Sequence, residues 1–532
     1  MDRKYTYQVK TAVGEFRDFV AGHKKTGLLT ALIILATWSV LGFRSDIGVD
    51  TEIMIAFPET MLKSWCGIGR FGLVFTKRLF GMSLFCQPVS AIAMMAVLWM
   101  ICMTVGFAVC QWSGYDDRYR FFYAVFSAVY VTSPCLAEQF YFQLQYFEVI
   151  WGIFMAVVAV YGISRYVYGK ESIGWVFMAV LCGVWAFGSY QVTVVIFIAL
   201  CAFSFLLVYQ RGLSEKDGER KWKWFRRAFS FVVIFMVIIM VYHGTACAVR
   251  IVTETNSAYI DGMVFWKKDG IRNCLYRILT DVKNIYYGQK PPFFPIAGVP
   301  VFLMFIVLFL KRGLESGEKE KLLYVMAGGI FTASPLFMTV LTGFYQVVRV
   351  QMVYPFILAI SCAALTTVCT PEKKPLLRAR AALGLSIIIA WNQWITSERL
   401  LDTMHQVSVQ DRKQCEDIYR EAQRLAGAQG RDISQTALVF VGIRGINWSQ
   451  STLRGDMIGY SLFQWDSLGA HGVSDRVGTL MYAMGLPHAP VTTEQYIRAV
   501  EMAESMPVWP LEGSILPEGD MVVIKLSDPV LP

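Results

Sequence analysis

The chain has 532 residues, 55% of them hydrophobic, 14% aromatic and only 17% charged, with a mean hydropathy of +0.46; this excludes an ordinary soluble domain and indicates a polytopic membrane protein. The net charge of +9 does not point to nucleic acid, because the basic residues fall in short stretches between apolar runs, as topology signals do. The twelve cysteines stand singly, with no CxxC pair and no Cys/His spacing suited to zinc, and read as small packing residues.

Residues 1–25, MDRKYTYQVKTAVGEFRDFVAGHKK, are polar and lack a small-residue cleavage pattern, so the first apolar stretch reads as a retained signal anchor. Apolar runs long enough to cross a core of roughly 30 Å centre near 26–43, 88–111, 119–137, 146–167, 173–188, 190–209, 228–249, 295–310, 322–344, 352–369 and 381–396, which predicts about eleven spans. Placing the N-terminal arm, with Arg3, Lys4, Lys10, Arg17, Lys24 and Lys25, in the cytoplasm puts RGLSEKDGERKWKWFRR, KRGLESGEKEK and TPEKKPLLRAR there too, as the positive-inside rule asks. An odd number of spans then leaves the C-terminal region outside. Only GSYQ separates the fifth and sixth runs, and losing either would move the three basic loops to the wrong side, so the charge pattern supports both.

The expected organisation is an N-terminal arm (1–25), a membrane module (26–397) with outer loops at 44–87 and 250–294, and a C-terminal α/β domain (398–532). The second loop carries Lys267, Lys268, Arg272, Arg277 and Lys283, which read either as solvated helix faces or as a surface for anionic head groups. In the C-terminal region, VQDRKQCEDIYREAQRLAGA and TTEQYIRAVEMAESM are amphipathic helices, and TALVFVG and DMVVIKLS are short buried strands. That region has no GxSxG, HExxH, GxGxxG or P-loop pattern, hence no independent active site. NWS at Asn447 matches a glycosylation acceptor, a match too short to weigh, and no internal repeat or low-complexity segment is present.

The chemistry concentrates where the first span ends. RSDIGVDTE (44–52) places Asp46, Asp50 and Glu52 at the bilayer edge, where an ionised carboxylate gains little and is expensive if drawn into hydrocarbon. From Arg70 to Phe80, Phe71, Val74, Phe75 and Leu79 share a helical face while Arg70, Lys77 and Arg78 lie elsewhere, which predicts a helix in the membrane interface. The acids then read in two ways: a helix terminus with Asp50 capping a helix that starts at Thr51, or a base beside a phosphate clamp that includes Arg44 and Arg70. Glu138, Gln139, Gln143 and Gln145, then Tyr190 and Gln191, fall on the same side of the membrane, facing either a cavity or a neighbouring helix. Arg349, with only Gln346 and Gln351 as polar company, either snorkels or meets a buried anion.

IGVDTE followed by SWCGIGRFGL, then SPCLAEQF, SYQ before a span, and MPVWPLEGSI leading to MVVIKLS resemble the bacterial glucosyltransferase family typified by the O-antigen serotype-converting glucosyltransferases, members of the GT-C membrane superfold. The resemblance covers nearly the whole chain in order. It implies an α-helical polytopic GT-C-like fold in the bacterial cytoplasmic membrane, a polyprenyl-phosphate sugar donor, a cell-surface glycan acceptor, and an acid of the first outer loop as catalytic base. Carried onto this sequence, it makes Asp50 the base with Asp46 as the competing choice, Glu52 the orienting partner, and Arg349 or Arg70 the donor-phosphate ligand. Tyr190, Gln191 and Glu138 would line the sugar pocket, and Trp65 joins the substrate-binding set. No cofactor is required by the resemblance, although the acid cluster offers oxygen donors of the kind Mg²⁺ takes. The acids are spaced DxxxDxE, whereas many GT-C proteins carry an adjacent Asp pair, which leaves Asp46 and Asp50 both open. A transporter or flippase of a lipid-linked glycan is the alternative for the same many-span pattern, but it would more often show an internal repeat with broken helices in both halves. A non-catalytic scaffold would leave the acids unexplained.

Overall fold

A computed structural model of the chain describes residues 12–115, 119, 121–169, 171–214, 222–256, 262–288, 290, 292–314, 321–368, 375–449 and 452–529. The first eleven residues, with Arg3, Lys4 and Lys10, and parts of the three basic loops lie outside the described residues. In chain order the membrane part comprises α1 (Ala12–Gly22), α2 (Lys24–Trp38), α3 (Thr51–Ala56), α4 (Pro58–Gly67), α5 (Phe71–Leu79), α6 (Gln87–Trp112), α7 (Phe122–Val131), α8 (Pro134–Phe140), α9 (Tyr146–Gly169), α10 (Gly174–Ser189), α11 (Thr193–Ser214), α12 (Lys223–Thr253), α13 (Gly270–Tyr286), α14 (Gly298–Leu314), α15 (Lys321–Ala333), α16 (Phe337–Thr342) and α17 (Val353–Val368).

Among the described residues every expected apolar run lies mainly on helix, and six helical stretches are long and apolar enough to cross a membrane: Lys24–Gly42, Gln87–Trp112, Tyr146–Gly169, Thr193–Gly212, Lys223–Thr253 and Lys321–Thr342. The others are shorter, Phe122–Val131, Gly174–Ser189, Gly298–Lys311 and Val353–Thr367, or belong to the long helix described below. The third run breaks for a local reason: Pro134 opens α8, and Ser133 before it takes an extended backbone at ψ 129°, the conformation that proline imposes on its predecessor. Among the six, α9 is 83% buried over its apolar window, whereas α12 is 22% buried and turns Val232, Val233, Met236 and Met240 outward.

Two chemically distinct ends result. At one, Arg165 on α9 joins Glu15 of α1 and Glu171, both at 2.7 Å. These residues, with Arg211, Lys223 and Arg227, line a polar cavity of about 520 Å³. At the other end lie α3, α4 and α5, then α8, α13 and the C-terminal region. There α5 leaves Phe75 and Leu79 exposed and packs its other side inward. Gly72 abuts α10 so closely that a Cβ would sit 2.6 Å from the Trp185 carbonyl oxygen, and Lys77 is buried in an ion pair with Glu148 of α9 at 2.8 Å.

From Pro375 one helix, α18 (Pro375–Ala428), runs 54 residues without interruption. No Gly or Pro lies between Gly384 and Gly427, so the last apolar run and the amphipathic helix expected after it are continuous, and the expected domain boundary at 397–398 falls mid-helix. Beyond it come β1 (Ala437–Val441), α19 (Ser474–Ala483), α20 (Thr493–Ala503), β2 (Ile515–Glu518) and β3 (Met521–Lys525). The sheet order is β1-β3-β2, with β1 and β3 parallel, Ala437 opposite Met521, and β2 antiparallel to β3. All five residues of β1 and of β3 are buried, as expected of a parallel pair covered on both faces. α20 starts in a capping box of Thr492 and Gln495. The edge strand β2 was not anticipated; ILPE is short, and Pro517 is tolerated only at an edge.

Candidate active site

The loop after α2 is threaded tightly. A Cβ on Gly48 would lie 2.8 Å from the Tyr141 ring, so only glycine lets the chain pass, and the next residue, Val49, donates its backbone N–H to the Tyr141 hydroxyl at 3.2 Å. Asp50 follows in the left-handed region at φ 69° and makes no side-chain cap bond to α3. A non-glycine residue there is uncommon, though Asp tolerates it better than most. The turn releases the carboxylate from capping and presents it to Arg476 of α19, 3.3 Å away, with 39% of the side chain exposed.

Glu52, in the first turn of α3, is fully buried. One of its oxygens takes a hydrogen bond from Arg476, and the other, Oε2, has no partner among the described residues. Burial pushes its ionisation up from 4.5 to about 7, against the pull of Arg476 and with an added push from the Asp50 charge. The same guanidinium reaches Asp466 at 2.7 Å. Arg476 therefore sits among three carboxylates, two of them from the first outer loop.

Asp46 lies apart. Its Oδ1 is 2.6 Å from Nδ1 of His405 on α18, its Oδ2 is buried without a partner, and Ile47 beside it donates to the Ser408 hydroxyl at 2.9 Å. The acids that the sequence places within seven residues are thus divided: Asp50 and Glu52 under α19, Asp46 against α18.

Three of the expected substrate-binding residues come together. Arg70 donates to Gln145 Oε1 at 3.2 Å and lies 4.8 Å from the centre of the Tyr190 ring, while Gln191 donates to the Ile68 carbonyl at 2.6 Å. Trp65, buried nearby, has Lys77 Nζ 5.8 Å from its ring. Glu138 has a different set of neighbours. It accepts the backbone N–H groups of Asp456 at 2.8 Å and Met457 at 2.9 Å, and a Cβ on Gly455 would collide with its Oε1. Asp456 in turn holds Lys290 at 2.7 Å and the Val348 N–H at 2.8 Å, which brings Arg349 alongside with its guanidinium 4.1 Å from the centre of the Phe142 ring. Among the described residues no carboxylate pairs with Arg349.

His405, Asp411, Asp456, Lys290 and Arg476 were not singled out from the sequence. Asp411 is buried on α18 and accepts from the Ser461 hydroxyl at 2.5 Å and the Leu462 N–H at 2.8 Å; burial, offset in part by those bonds, pushes it up to about 7. Among the described residues no group of three or more His, Cys, Asp or Glu side chains is close enough to hold a metal ion, and Asp50 and Glu52 share Arg476 as their cation.

The model of the family described as Glucosyl transferase GtrII matches residues 40–367, a stretch that contains the acid loop, Trp65, Arg70, Glu138, Tyr190, Gln191 and Arg349. The protein is accordingly a glycosyltransferase carried on helices able to cross a membrane. It belongs to the GtrII glucosyl transferase family. No curated protein and no solved structure matches the chain. His405, Asp411 and Arg476 all lie beyond the matched stretch.

Proposed function

We propose that the protein moves glucose from a polyprenyl-phosphate donor to a cell-surface glycan, O-antigen or a similar polysaccharide, on the outer face of the bacterial cytoplasmic membrane. The observation that carries the mechanism is Glu52, a buried carboxylate at the non-basic end of the bundle, with one oxygen unpartnered and its ionisation raised to about 7. A base works best when its ionisation lies near the working pH. Glu52 suits that role better than Asp50, expected from the sequence, whose carboxylate is part-exposed beside Arg476, or Asp46, which is closed off by His405.

Glu52 takes the proton of the acceptor hydroxyl as that oxygen bonds to the anomeric carbon. The bond from that carbon to the phosphate oxygen breaks on the opposite face, and polyprenyl phosphate leaves, so configuration inverts. Asp50 forms the solvent-facing edge of the cluster, and Arg476 sets the charge of both acids. Arg349, whose charge no described carboxylate balances, holds the departing phosphate, as a guanidinium does well; Arg70 with Tyr190, Gln191 and Trp65 completes the donor side. The N-terminal arm and basic loops lie in the cytoplasm, and the region beyond α18's apolar part lies outside.

The test is transfer or hydrolysis of labelled polyprenyl-phosphate glucose by detergent-purified protein, with Glu52→Gln, Asp50→Asn and Asp46→Asn beside wild type at matched thermal stability. Silence of Glu52→Gln alone supports the assignment; full activity of that variant removes it, and a wild type inert toward every polyprenyl-linked sugar removes the donor class.

A further inference from the structure

The segment from α8 into α9 carries an anomaly that the proposed mechanism does not use. Gln139 is 0% exposed and Gln143 is 1% exposed, yet the amide nitrogen and oxygen of both side chains have no hydrogen-bond partner among the described residues. Buried amides are almost always paired, because an unpaired one forfeits its water without compensation. The two residues flank Tyr141, whose hydroxyl accepts from Val49 in the acid loop, and Phe142, over which Arg349 stacks. The segment therefore ties the unpaired amides to both the acid loop and the cation assigned above to the phosphate.

A primary amide both donates and accepts, and so does a sugar hydroxyl. Two such groups, four residues apart on the segment that touches both the acid loop and Arg349, match the donor and acceptor hydroxyls that a hexosyl unit presents. We infer that Gln139 and Gln143 form the recognition subsite for the hydroxyls of the transferred sugar and determine which sugar is accepted. This rests on the transferase mechanism proposed above.

Methionine keeps the length of glutamine and removes its polar atoms. In Gln139→Met and Gln143→Met, kcat/KM for polyprenyl-phosphate glucose falls roughly tenfold or more, the scale of one lost hydrogen bond. The loss disappears with a deoxyglucosyl donor that lacks the hydroxyl each amide binds, because pairs that interact are not additive. The melting temperature stays level or rises, since an unpaired buried group has been removed. Unchanged kcat/KM with the wild-type preference among deoxy donors overturns the subsite and leaves the amides as sites of bound water. A fall in melting temperature with equal loss on every donor also overturns it, because the amides then hold the fold. If wild type turns over no donor, the transferase mechanism fails by itself. Retention of the same donor in native mass spectrometry then decides the subsite, and equal retention by wild type and the double variant ends it.

Discussion

Glu52 is the residue on which the chemistry turns, and its environment makes pH the sharpest probe. If it accepts the proton, activity requires the ionised form, so kcat/KM rises with pH through about 7. Glu52→Gln loses on the order of 10²- to 10⁴-fold, the usual contribution of a positioned base. Arg476→Gln removes the cation that pulls Glu52 downward, while burial and Asp50 still push it up. The acid limb of the profile then moves to higher pH, by about tenfold in rate at a fixed pH below it for each unit of displacement, and activity returns on raising the pH. A variant silent at every pH instead assigns Arg476 a different role. Asp411 supplies a separate pH effect, on stability. Its folded ionisation lies near 7 against an ordinary 3.8, so the folded chain keeps a proton that the unfolded chain releases. Stability is then greatest below about 4 and declines by about 1.4 kcal/mol per pH unit up to about 7. Asp411→Asn abolishes that slope, and its melting temperature gains on wild type between pH 5 and 7.5. The acid loop was legible because three carboxylates directly after an apolar run are conspicuous. Arg476 and His405 were not, because they meet Glu52 and Asp46 across 424 and 359 positions, and no local period reports a contact of that separation.

Element by element, apolar length was the dependable signal and face assignment the weak one. The apolar runs locate the helices because a helix in hydrocarbon needs apolar residues all round. α5 shows what periodicity leaves out: it put Lys77 off the apolar face without naming a partner, and Glu148 on α9 holds Lys77 inside, both side chains being at most 2% exposed. A buried pair of this kind is held by mutual compensation, and removing one partner strands the other, which costs about 3–5 kcal/mol. Lys77→Met alone therefore lowers the unfolding midpoint in a mild-to-harsh detergent titration, and Glu148→Gln in the same chain recovers most of the loss. If the double variant is as unstable as the single one, Lys77 acts through its contact with Trp65 and not through the ion pair.

At the scale of the whole molecule, α18 joins the two halves of the site. At 1.5 Å per residue its 54 residues extend roughly 80 Å, so one helix both packs on the bundle and reaches the sheet beyond it. Along its course Ser408 and His405 fasten the acid loop, and Asp411 fastens the chain at Ser461 and Leu462, on the way to Arg476. The matched family region ends at 367, before this helix begins, yet the cation over Glu52 comes from beyond it. Neither half completes the cluster alone, and the mechanism proposed above requires the second half on the acceptor's side of the membrane. The proposed topology puts the basic end, with Arg165, Arg211, Lys223 and Arg227, in the cytoplasm, as the positive-inside rule asks, and the acid cluster lies at the opposite end. Alkaline phosphatase fused after Asp528 is then active and a green fluorescent protein at the same point is dark, whereas the fluorescent protein fused ahead of the N-terminal arm is bright. The inverse pattern would put Glu52 and Arg476 in the cytoplasm, where an outward-facing glycan cannot reach them, and transfer on the outer face would have to be abandoned whatever the purified protein does in detergent.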